Sequence, residues 1–418
     1  MNTTSLLIPN QNQDTVLDGW IIENTNVPIL FLNGSSYQMG YQQGVFLQEK
    51  IKQNLRAFLH YANITMDLLL ETWDEMKPYV PEECIQEIQG IADGSGLSFE
   101  EVIAGYMVIV REDMGCFGFS AWGDATDQGQ LLHVRCFDQP LEIIDPVTGT
   151  PAYENNMIVV RKPEYGIPSV APSIAGIPHT GGGVNKQGIA VGQQVCWSTD
   201  QTFKGTPALF RTQLVLDHAR TINDALSILT INNTLGWNYI VSDAKIPIGY
   251  AVELSANHTY IGGWDQSQES TFPFWAIKDI VRRTNFFIDP TLASTQRQRY
   301  SPAGLINFLE LVQRKSTFYA IWRSYKVISQ DISKNWGTLN RQTTMNLIRK
   351  GYAGDTDLVL KLIVILAERT SFNRAWNIWV ANPQSGDILV CFAHHDKIAF
   401  ENPVYHFNMY ELFETHPP

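Results

Sequence analysis

Apolar residues in the first quarter of the chain recur at helical spacing. In residues 37–59 they return at Val45, Leu47, Ile51 and Leu55, close to the 3.6-residue period of an amphipathic helix. The spacing predicts four helices, over residues 37–59, 66–81, 82–92 and 98–110. A serine and a glutamate three positions later, Ser98 and Glu101, form a capping box at the start of the last helix. Residues 1–115 are therefore predicted to be a mostly helical segment.

After residue 115 the pattern changes to short runs of β-forming residues separated by turns. These runs predict strands over residues 116–122, 131–137, 156–161, 188–196, 238–242 and 249–254, and a closing hairpin of 376–381 with 387–393. Helical spacing returns over residues 207–229, 303–311, 341–349 and 358–368. This order is typical of a layered α+β domain. The predicted boundary separates a helical segment, 1–115, from a strand-bearing unit, 116–418.

Composition and charge narrow the classes of protein. The 418 residues carry 30 Lys and Arg against 42 Asp and Glu, a net charge of −12, which disfavours binding to a phosphate backbone. The longest apolar run, residues 358–367, contains Lys361 and is shorter than the ~20 residues of a membrane-spanning helix. The first basic residue is Lys50, so no secretory signal is predicted. Five scattered cysteines favour a reducing compartment, and we expect a cytoplasmic protein.

The junction Gly115–Cys116 is the first candidate for chemistry. Glycine has no Cβ, so the thiol of Cys116 can approach the Gly115 carbonyl, a geometry suited to self-cleavage by an N-to-S acyl shift. Cleavage would give Cys116 a free α-amino group with a pKa of roughly 7.7–8.0, a general base built into the nucleophile. The alternative is that Cys116 is a small buried residue at the start of a strand.

Charged and amide side chains in apolar strands form a second group of candidates. Arg135 and Asp138 lie at the end of the predicted strand 131–137, where burial is costly unless the charges meet each other or a ligand. They form either a structural ion pair or a site in which Asp138 holds a terminal amine and Arg135 a thiol or carbonyl. Asn238 lies in a β-forming run, and its amide either donates to an oxyanion or satisfies a neighbouring backbone group. Asn185 occupies a predicted hairpin turn.

Other motifs are weaker. The glycine-rich residues 181–192 lack the Gly-Lys-Ser/Thr ending of a phosphate-binding loop. A pairing of the His133 imidazole with the Cys116 thiol is an alternative that the sequence leaves open. His394 and His395 follow a predicted strand, where adjacent side chains point to opposite faces, which argues against joint metal ligation. The sequence therefore predicts no cofactor and no metal.

Together these landmarks resemble the N-terminal-nucleophile hydrolases of the acyl-CoA:6-aminopenicillanic acid acyltransferase type, the C45-like peptidase group. The similar blocks are residues 35–44, 115–126, 127–138, 183–192, 238–244, 284–287 and the last hairpin around Trp379 and Gly386. The resemblance implies a four-layer αββα sandwich and cleavage between Gly115 and Cys116, with the two chains remaining associated as a heterodimer. It also implies that Cys116 is the nucleophile, flanked by Arg135 and Asp138.

In the same resemblance, Asn238 and Asn185 would stabilise the oxyanion. The implied reaction breaks a linear, non-peptide C–N amide bond of a small-molecule substrate, or transfers its acyl group, through an acyl-thioester on Cys116. Phe117 and Cys136 depart from the residues common in the family, and Cys136 would be a second thiol near the site. A phospholipase-B-like acyl-ester hydrolase and a catalytically silent binding protein of the same fold are the alternatives.

Overall fold

Helices dominate the chain before Cys116. The computed structural model describes residues 18–23, 26–111, 115–313, 315–353 and 375–417. The first five helices are α1 (Ser36–Phe46), α2 (Gln48–Ala62), α3 (Met66–Met76), α4 (Glu82–Ser95) and α5 (Phe99–Arg111). The single helix predicted over 37–59 is two helices, because Leu47 leaves helical geometry at φ −120° and ψ 19°. The capping box of Ser98 and Glu101 is confirmed, with both reciprocal hydrogen bonds present.

The strands form two sheets. The nine-stranded sheet has the order β1 (Trp20–Ile22), β2 (Ile29–Gly34), β5 (Asn156–Pro163), β6 (Ser169–Ile174), β7 (Gly182–Asn185), β8 (Ile189–Val195), β9 (Trp237–Asp243), β10 (Ile248–Leu254) and β11 (Thr259–Gly262). The six-stranded sheet has the order β12 (Ile280–Arg283), β3 (Gly115–Gly123), β4 (Gly129–Asp138), β13 (Ala375–Asn382), β14 (Asp387–Phe392) and β15 (Tyr405–Asn408). Strands β2 and β5 pair in parallel. The predicted hairpin of β3 with β4 is confirmed.

The remaining helices of the described residues correct the sequence predictions. They are α6 (Ala208–His218), α7 (Ile222–Leu229), α8 (Pro290–Ala293), α9 (Leu305–Val312), α10 (Phe318–Lys334), α11 (Arg341–Tyr352) and α12 (Met409–Glu414). The single helix predicted over 207–229 is wrong, because Thr221 caps a new helix, α7, after α6 has ended. The predicted helix 358–368 lies outside the described residues. No helix among those described is long and apolar enough to cross a membrane.

Side chains alternate between the two faces of each strand, and the clusters in which they pack define four layers. In β2, Leu30 and Leu32 belong to the core that contains the N-terminal helices, whereas Phe31 packs in a different cluster with Trp379 of the six-stranded sheet. On the outer face of that sheet, Phe117 and Phe119 pack with residues of α10 and α11. The order is helix, sheet, sheet, helix, so the predicted α+β sandwich of αββα type is confirmed.

The N-terminal segment is built into this sandwich. Its strands β1 and β2 extend the nine-stranded sheet, so the segment is not helical alone. Helices α1 and α4 cross closely at glycines, where a Cβ on Gly40 would lie 2.1 Å from the Glu87 carbonyl oxygen. A buried ion pair joins Glu87 of α4 to Arg161 of β5, with 2.9 Å between Oε2 and Nη2. The residues on either side of Cys116 therefore share one core.

Candidate active site

Cys116 lies near the start of β3, on the face that meets the nine-stranded sheet. It pairs in register with Phe137 of β4 and is 3% exposed. Gly118 shares this face, because side chains alternate along a strand. A Cβ at Gly118 would lie 2.6 Å from Nε2 of Gln194 in β8. The thiol of Cys116 is thus held between the two sheets.

Arg135 is the charged group that contacts this thiol. Its Nη2 lies 3.1 Å from Cys116 Sγ, and the side chain is 1% exposed. The guanidinium also donates to the Gly181 carbonyl at 3.4 Å and to the Cys136 carbonyl. Within the described parts of the chain, no carboxylate forms an ion pair with it. Its positive charge is therefore directed at the thiol, where it favours the thiolate.

Two side chains from a distant segment fix the backbone of Cys116. Its N–H donates to Asn285 Oδ1 at 2.8 Å, and its carbonyl accepts a hydrogen bond from Thr284 Oγ1 at 2.7 Å. Asn285 in turn donates to the Val195 carbonyl at 2.9 Å, which ties β3 to β8. Sequence reasoning gave Thr284 and Asn285 no role. The signal was the polar run Arg282 to Asn285 between apolar residues.

Asp138 lies beside the Gly115–Cys116 peptide. It pairs in register with Gly115, and a Cβ on Gly115 would lie 3.0 Å from Asp138 Cβ. Tyr352 of α11 donates its hydroxyl hydrogen to Asp138 Oδ2 at 2.9 Å. Burial raises the pKa of Asp138 to about 6, against the opposing effects of Tyr352 and Arg135. The carboxylate is therefore the titratable group adjacent to the predicted cleavage point.

The thiol of Cys116 is subject to opposing influences. Burial raises its pKa, the charge of Arg135 lowers it, and the negative charge of Asp138 raises it. Burial is the largest of these, so the group is mainly a neutral thiol at pH 7. A thiol in this state needs a base before it can act as a nucleophile.

Asn238 supports the segment that holds Cys116. Its Nδ2 donates to the carbonyls of Thr284 and Phe286, each at 2.9 Å. Both amide hydrogens are therefore used on backbone groups. In this uncut chain the side chain fixes residues 284–286 and has no hydrogen left for an oxyanion.

Asn185 is not brought to Cys116. Its Nδ2 donates to the carbonyls of Leu216 and Ala219, and its Oδ1 accepts from two N–H groups of the β7–β8 turn. This turn adjoins the Ile189 end of β8, whereas the Cys116 network reaches Val195 at the other end, about 20 Å away at the rise of a strand. The side chain stabilises the turn and the end of α6.

The other thiol and imidazole candidates are also separate from Cys116. His133 pairs with Ser120, four residues along β3, and its Nδ1 lies 2.8 Å from Ser242 Oγ. Burial lowers the pKa of His133 to about 3. Cys136 pairs with Phe117 on the opposite face of the sheet and packs in the core beneath α10 and α11. Neither side chain is hydrogen-bonded to the thiol of Cys116.

A known family matches part of the chain. The sequence model of the acyl-coenzyme A:6-aminopenicillanic acid acyl-transferase family matches residues 145–304. This range contains Asn185, Asn238 and Asn285, and begins after Cys116 and Asp138. The match confirms the resemblance to that family and supports an enzyme of the acyltransferase and amidase class.

Individual relatives are distant. An uncharacterized protein of Archaeoglobus fulgidus is 26% identical over 317 residues, which cover 64% of this chain and 51% of the relative. The protein dcd1B of Dictyostelium discoideum is 22% identical over 95% of this chain and 77% of its own. The chain thus spans about half the length of the first relative and three quarters of the second.

A solved structure shows a weaker likeness. The Caenorhabditis elegans ortholog of N-acylethanolamine-hydrolyzing acid amidase has 16% sequence identity and a TM-score of 0.40. The alignment covers 64% of this chain and 93% of the other. The activity in that name belongs to the nematode protein.

Proposed function

We propose that this chain, which resembles the acyl-CoA:6-aminopenicillanic acid acyltransferases, is a self-processing cysteine hydrolase of the N-terminal-nucleophile type. It cleaves a linear, non-peptide C–N amide bond, or transfers the acyl group, through an acyl-thioester on Cys116. The observation that carries the proposal is the 3.1 Å contact between the Cys116 thiol and the Arg135 guanidinium. A buried cation aimed at a buried thiol lowers the free energy of the thiolate and of the negative charge that develops during acyl transfer.

The first reaction cuts the chain. We assign the acceptance of the thiol proton to Asp138, which pairs with Gly115 on the neighbouring strand, and the Cys116 sulfur attacks the Gly115 carbonyl carbon. The Gly115–Cys116 C–N bond breaks as the C–S bond forms, and the proton passes to the departing nitrogen. Water then hydrolyses the thioester, which leaves a carboxylate on Gly115 and a free thiol and α-amine on Cys116. Asn285 and Thr284 hold the peptide on both sides of the Cys116 Cα, so the strand does not move away while the bond is cut.

The second reaction uses the new amine. The α-amine takes the thiol proton, the thiolate attacks the substrate amide carbonyl, and the proton is delivered to the leaving amine. The acyl group remains on sulfur until water or a second amine accepts it. In this state Asp138 holds the α-ammonium group. Arg135 stabilises the oxyanion, and we assign Asn238 and Asn185 to positioning rather than to oxyanion binding, because their amide hydrogens are already used.

The cut chains are proposed to stay together as a heterodimer. Strand β2 of the first chain pairs with β5 of the second over six residue pairs. Glu87 of the first chain remains paired with Arg161 of the second. Separation would expose this core and remove Glu87, one of the two carboxylates that pair with the buried guanidinium of Arg161, which is costly.

The test is the intact mass of the full chain after incubation at neutral pH. We expect the wild type to give two fragments of roughly 13 and 34 kDa, scaled from residue numbers, with Cys116 as a new N-terminal residue. Cys116→Ala should remain whole. Cys136→Ala, which removes a buried thiol from the opposite face of the same hairpin, is the matched control and should be cut normally.

Alkylation separates the alternatives. A processed enzyme should incorporate iodoacetamide at Cys116 and lose amide hydrolysis. A wild-type chain that stays whole, with Cys116 unreactive to iodoacetamide, would overturn the proposal in favour of a silent binding protein. A processed protein that hydrolyses acyl esters but no amides would favour the phospholipase-B-like alternative.

A further inference from the structure

Two adjacent histidines and a glutamate meet at one edge of the sandwich. Their nitrogen and carboxylate ligand atoms, from Glu154, His394 and His395, all lie within 4.8 Å of one another. Glu154 belongs to a short 3₁₀ helix, Ala152–Asn155, that leads into β5. The histidines follow the end of β14 at Phe392. The three side chains therefore come from chain segments more than two hundred residues apart in sequence.

The prediction that the two histidines point to opposite faces is wrong. His394 is the first residue of a tight turn in which His394 and Lys397 exchange backbone hydrogen bonds at 3.0 and 3.1 Å. His395 has φ +50°, so the alternation of an extended strand no longer applies. The two imidazole rings are tilted and their centroids are 3.6 Å apart. Both nitrogen donors are consequently available on one side of the turn.

The glutamate is oriented toward the same point. Its Oε1 accepts a hydrogen bond from the His395 backbone N–H at 2.7 Å, and its Oε2 contacts His394 Nδ1. The carboxylate is thus fixed by the turn that carries the imidazoles. Asn156 reinforces the junction by donating to the Ala393 carbonyl at 3.2 Å. The ligand atoms are held from both segments before any ion binds.

From this geometry we infer a binding site for a divalent transition-metal ion of the Zn²⁺ class. The ligands are Nδ1 of His394, a ring nitrogen of His395 and a carboxylate oxygen of Glu154. Two imidazoles and one carboxylate suit Zn²⁺, whereas Mg²⁺ and Ca²⁺ prefer oxygen ligands alone. Three protein ligands leave a fourth, tetrahedral position for water. The two histidines are exposed, so the ion has a direct path from solvent.

The site would join the two sheets at the end that carries Cys116. Glu154 precedes β5 of the nine-stranded sheet, and the histidines follow β14 of the six-stranded sheet. Across the latter, Cys116, Phe137, Asn377 and Phe392 stand in one row of paired residues. Three strand spacings of ~4.8 Å separate the ends of that row by about 14 Å. The ion therefore acts as a clamp between layers, at a distance from the nucleophile.

The test is a titration of the full chain with Zn²⁺ after dialysis against a chelator. Cys116→Ala serves as the background, because it removes a competing thiol and keeps the chain uncut. We expect one equivalent to bind with a micromolar or lower Kd. Glu154→Gln, His394→Gln and His395→Asn should each weaken binding at least tenfold. Asparagine tolerates positive φ, so His395→Asn keeps the turn.

His406→Gln is the matched control. His406 is also exposed and contacts a single carboxylate, that of Asp387, at 2.8 Å, so its loss should leave Zn²⁺ binding unchanged. Two further readouts follow from the same site. Co²⁺ should give a visible absorption band that the three variants lose, and saturating Zn²⁺ should raise the Tm of the background protein but not of His395→Asn, because binding to the folded state alone stabilises it.

The proposal fails if Zn²⁺ does not bind at micromolar concentrations. It also fails if binding persists unchanged in Glu154→Gln and His395→Asn, which would locate the ion elsewhere. Magnesium at the same concentration should not compete. If Mg²⁺ bound at this site as tightly as Zn²⁺ does, imidazole ligation would be contradicted.

Discussion

Two buried arginines on the six-stranded sheet, Arg135 and Arg283, have opposite environments. Arg283 is 0% exposed, and its Nε lies 2.7 Å from Glu253 Oε1 while its Nη1 lies 3.2 Å from Glu269 Oε2. The guanidinium is matched by two carboxylates that are themselves buried. Arg135 is equally enclosed, but its donors meet the thiol of Cys116 and two backbone carbonyls.

The difference distinguishes a structural charge from a reactive one. A buried cation that is already paired with its counterions contributes little further electrostatic stabilisation to a reaction. A buried cation without a carboxylate partner stabilises any negative charge that forms beside it, and here the neighbouring atom is a sulfur that can become a thiolate. The comparison therefore indicates a structural role for Arg283 and supports the proposal that Arg135 takes part in acyl transfer.

The largest effect is expected from Arg283→Met. The substitution leaves Glu253 and Glu269 buried without a cation, and breaking such a pair costs about 3–5 kcal/mol. We expect a fall of that size in the free energy of unfolding, measured by denaturant titration of Cys116→Ala chains so that cutting does not interfere. A double substitution, Arg283→Met with Glu253→Gln, should recover part of the loss. Equal instability in Arg135→Met would remove the distinction between the two arginines.

Arg135→Met should instead slow chain cutting strongly and leave the fold intact. No buried carboxylate loses its partner, and a methionine of similar length fills the space, so the free energy of unfolding should change by under about 1.5 kcal/mol. Chain cutting should slow about 100- to 1000-fold, the usual cost of losing one donor to a developing negative charge. The measurement is the rate of fragment formation by mass spectrometry. Normal cutting with reduced stability would reverse the assignment.

A smaller effect is expected from Thr284→Val. The substitution is close in shape and deletes the hydrogen bond from Oγ1 to the Cys116 carbonyl, which is worth roughly 0.5–1.5 kcal/mol. Cutting should slow about three- to tenfold. Thr126→Val is the control, because its hydroxyl donates to the Gln130 carbonyl at 2.7 Å in the turn at the other end of the same hairpin. If both variants slow cutting equally, Thr284 has no special part in holding the peptide.

Local patterns were sufficient to predict much of the fold. The periods of α3, α5, β3 and β4 predicted these elements, and the β3–β4 hairpin brings Arg135 and Asp138 close to Cys116. Patterns failed where long-range contacts decide the structure. The parallel pairing of β2 with β5 joins segments over a hundred residues apart, and no local signal indicates it.

In the candidate active site, too, local patterns predicted some residues, and long-range contacts bring in the others. Thr284 and Asn285 follow Cys116 by 168 and 169 residues and reach it only because β12 pairs with β3. Asn185 and Asn238 were predicted from their residue type and from the resemblance. Each uses both amide hydrogens on backbone carbonyls. Which partner a buried amide chooses depends on the tertiary neighbours, and the sequence does not contain that information locally.

The sharpest test of Asp138 is the pH dependence of cutting. Asp138 accepts the thiol proton only when ionised, and its pKa is about 6, so the rate should fall as the pH drops through about 6. His133 and His179 have pKa values lowered by burial to about 3 and do not titrate there. Asp138→Asn should abolish cutting at every pH, and residual cutting with the same acidic limb would show that another group titrates.

Tyr352→Phe moves the limb without removing the base. The Tyr352 hydroxyl donates to Asp138 Oδ2 and so favours the ionised form. Its loss should raise the pKa of Asp138 and shift the acidic limb upward by up to about one pH unit, while the rate at pH 8 changes little. Tyr325→Phe, which deletes another buried hydroxyl from the same helical layer, should leave the limb in place. An unchanged limb in Tyr352→Phe, or a shift of equal size in Tyr325→Phe, would mean that the acidic limb does not report the carboxylate beside Gly115.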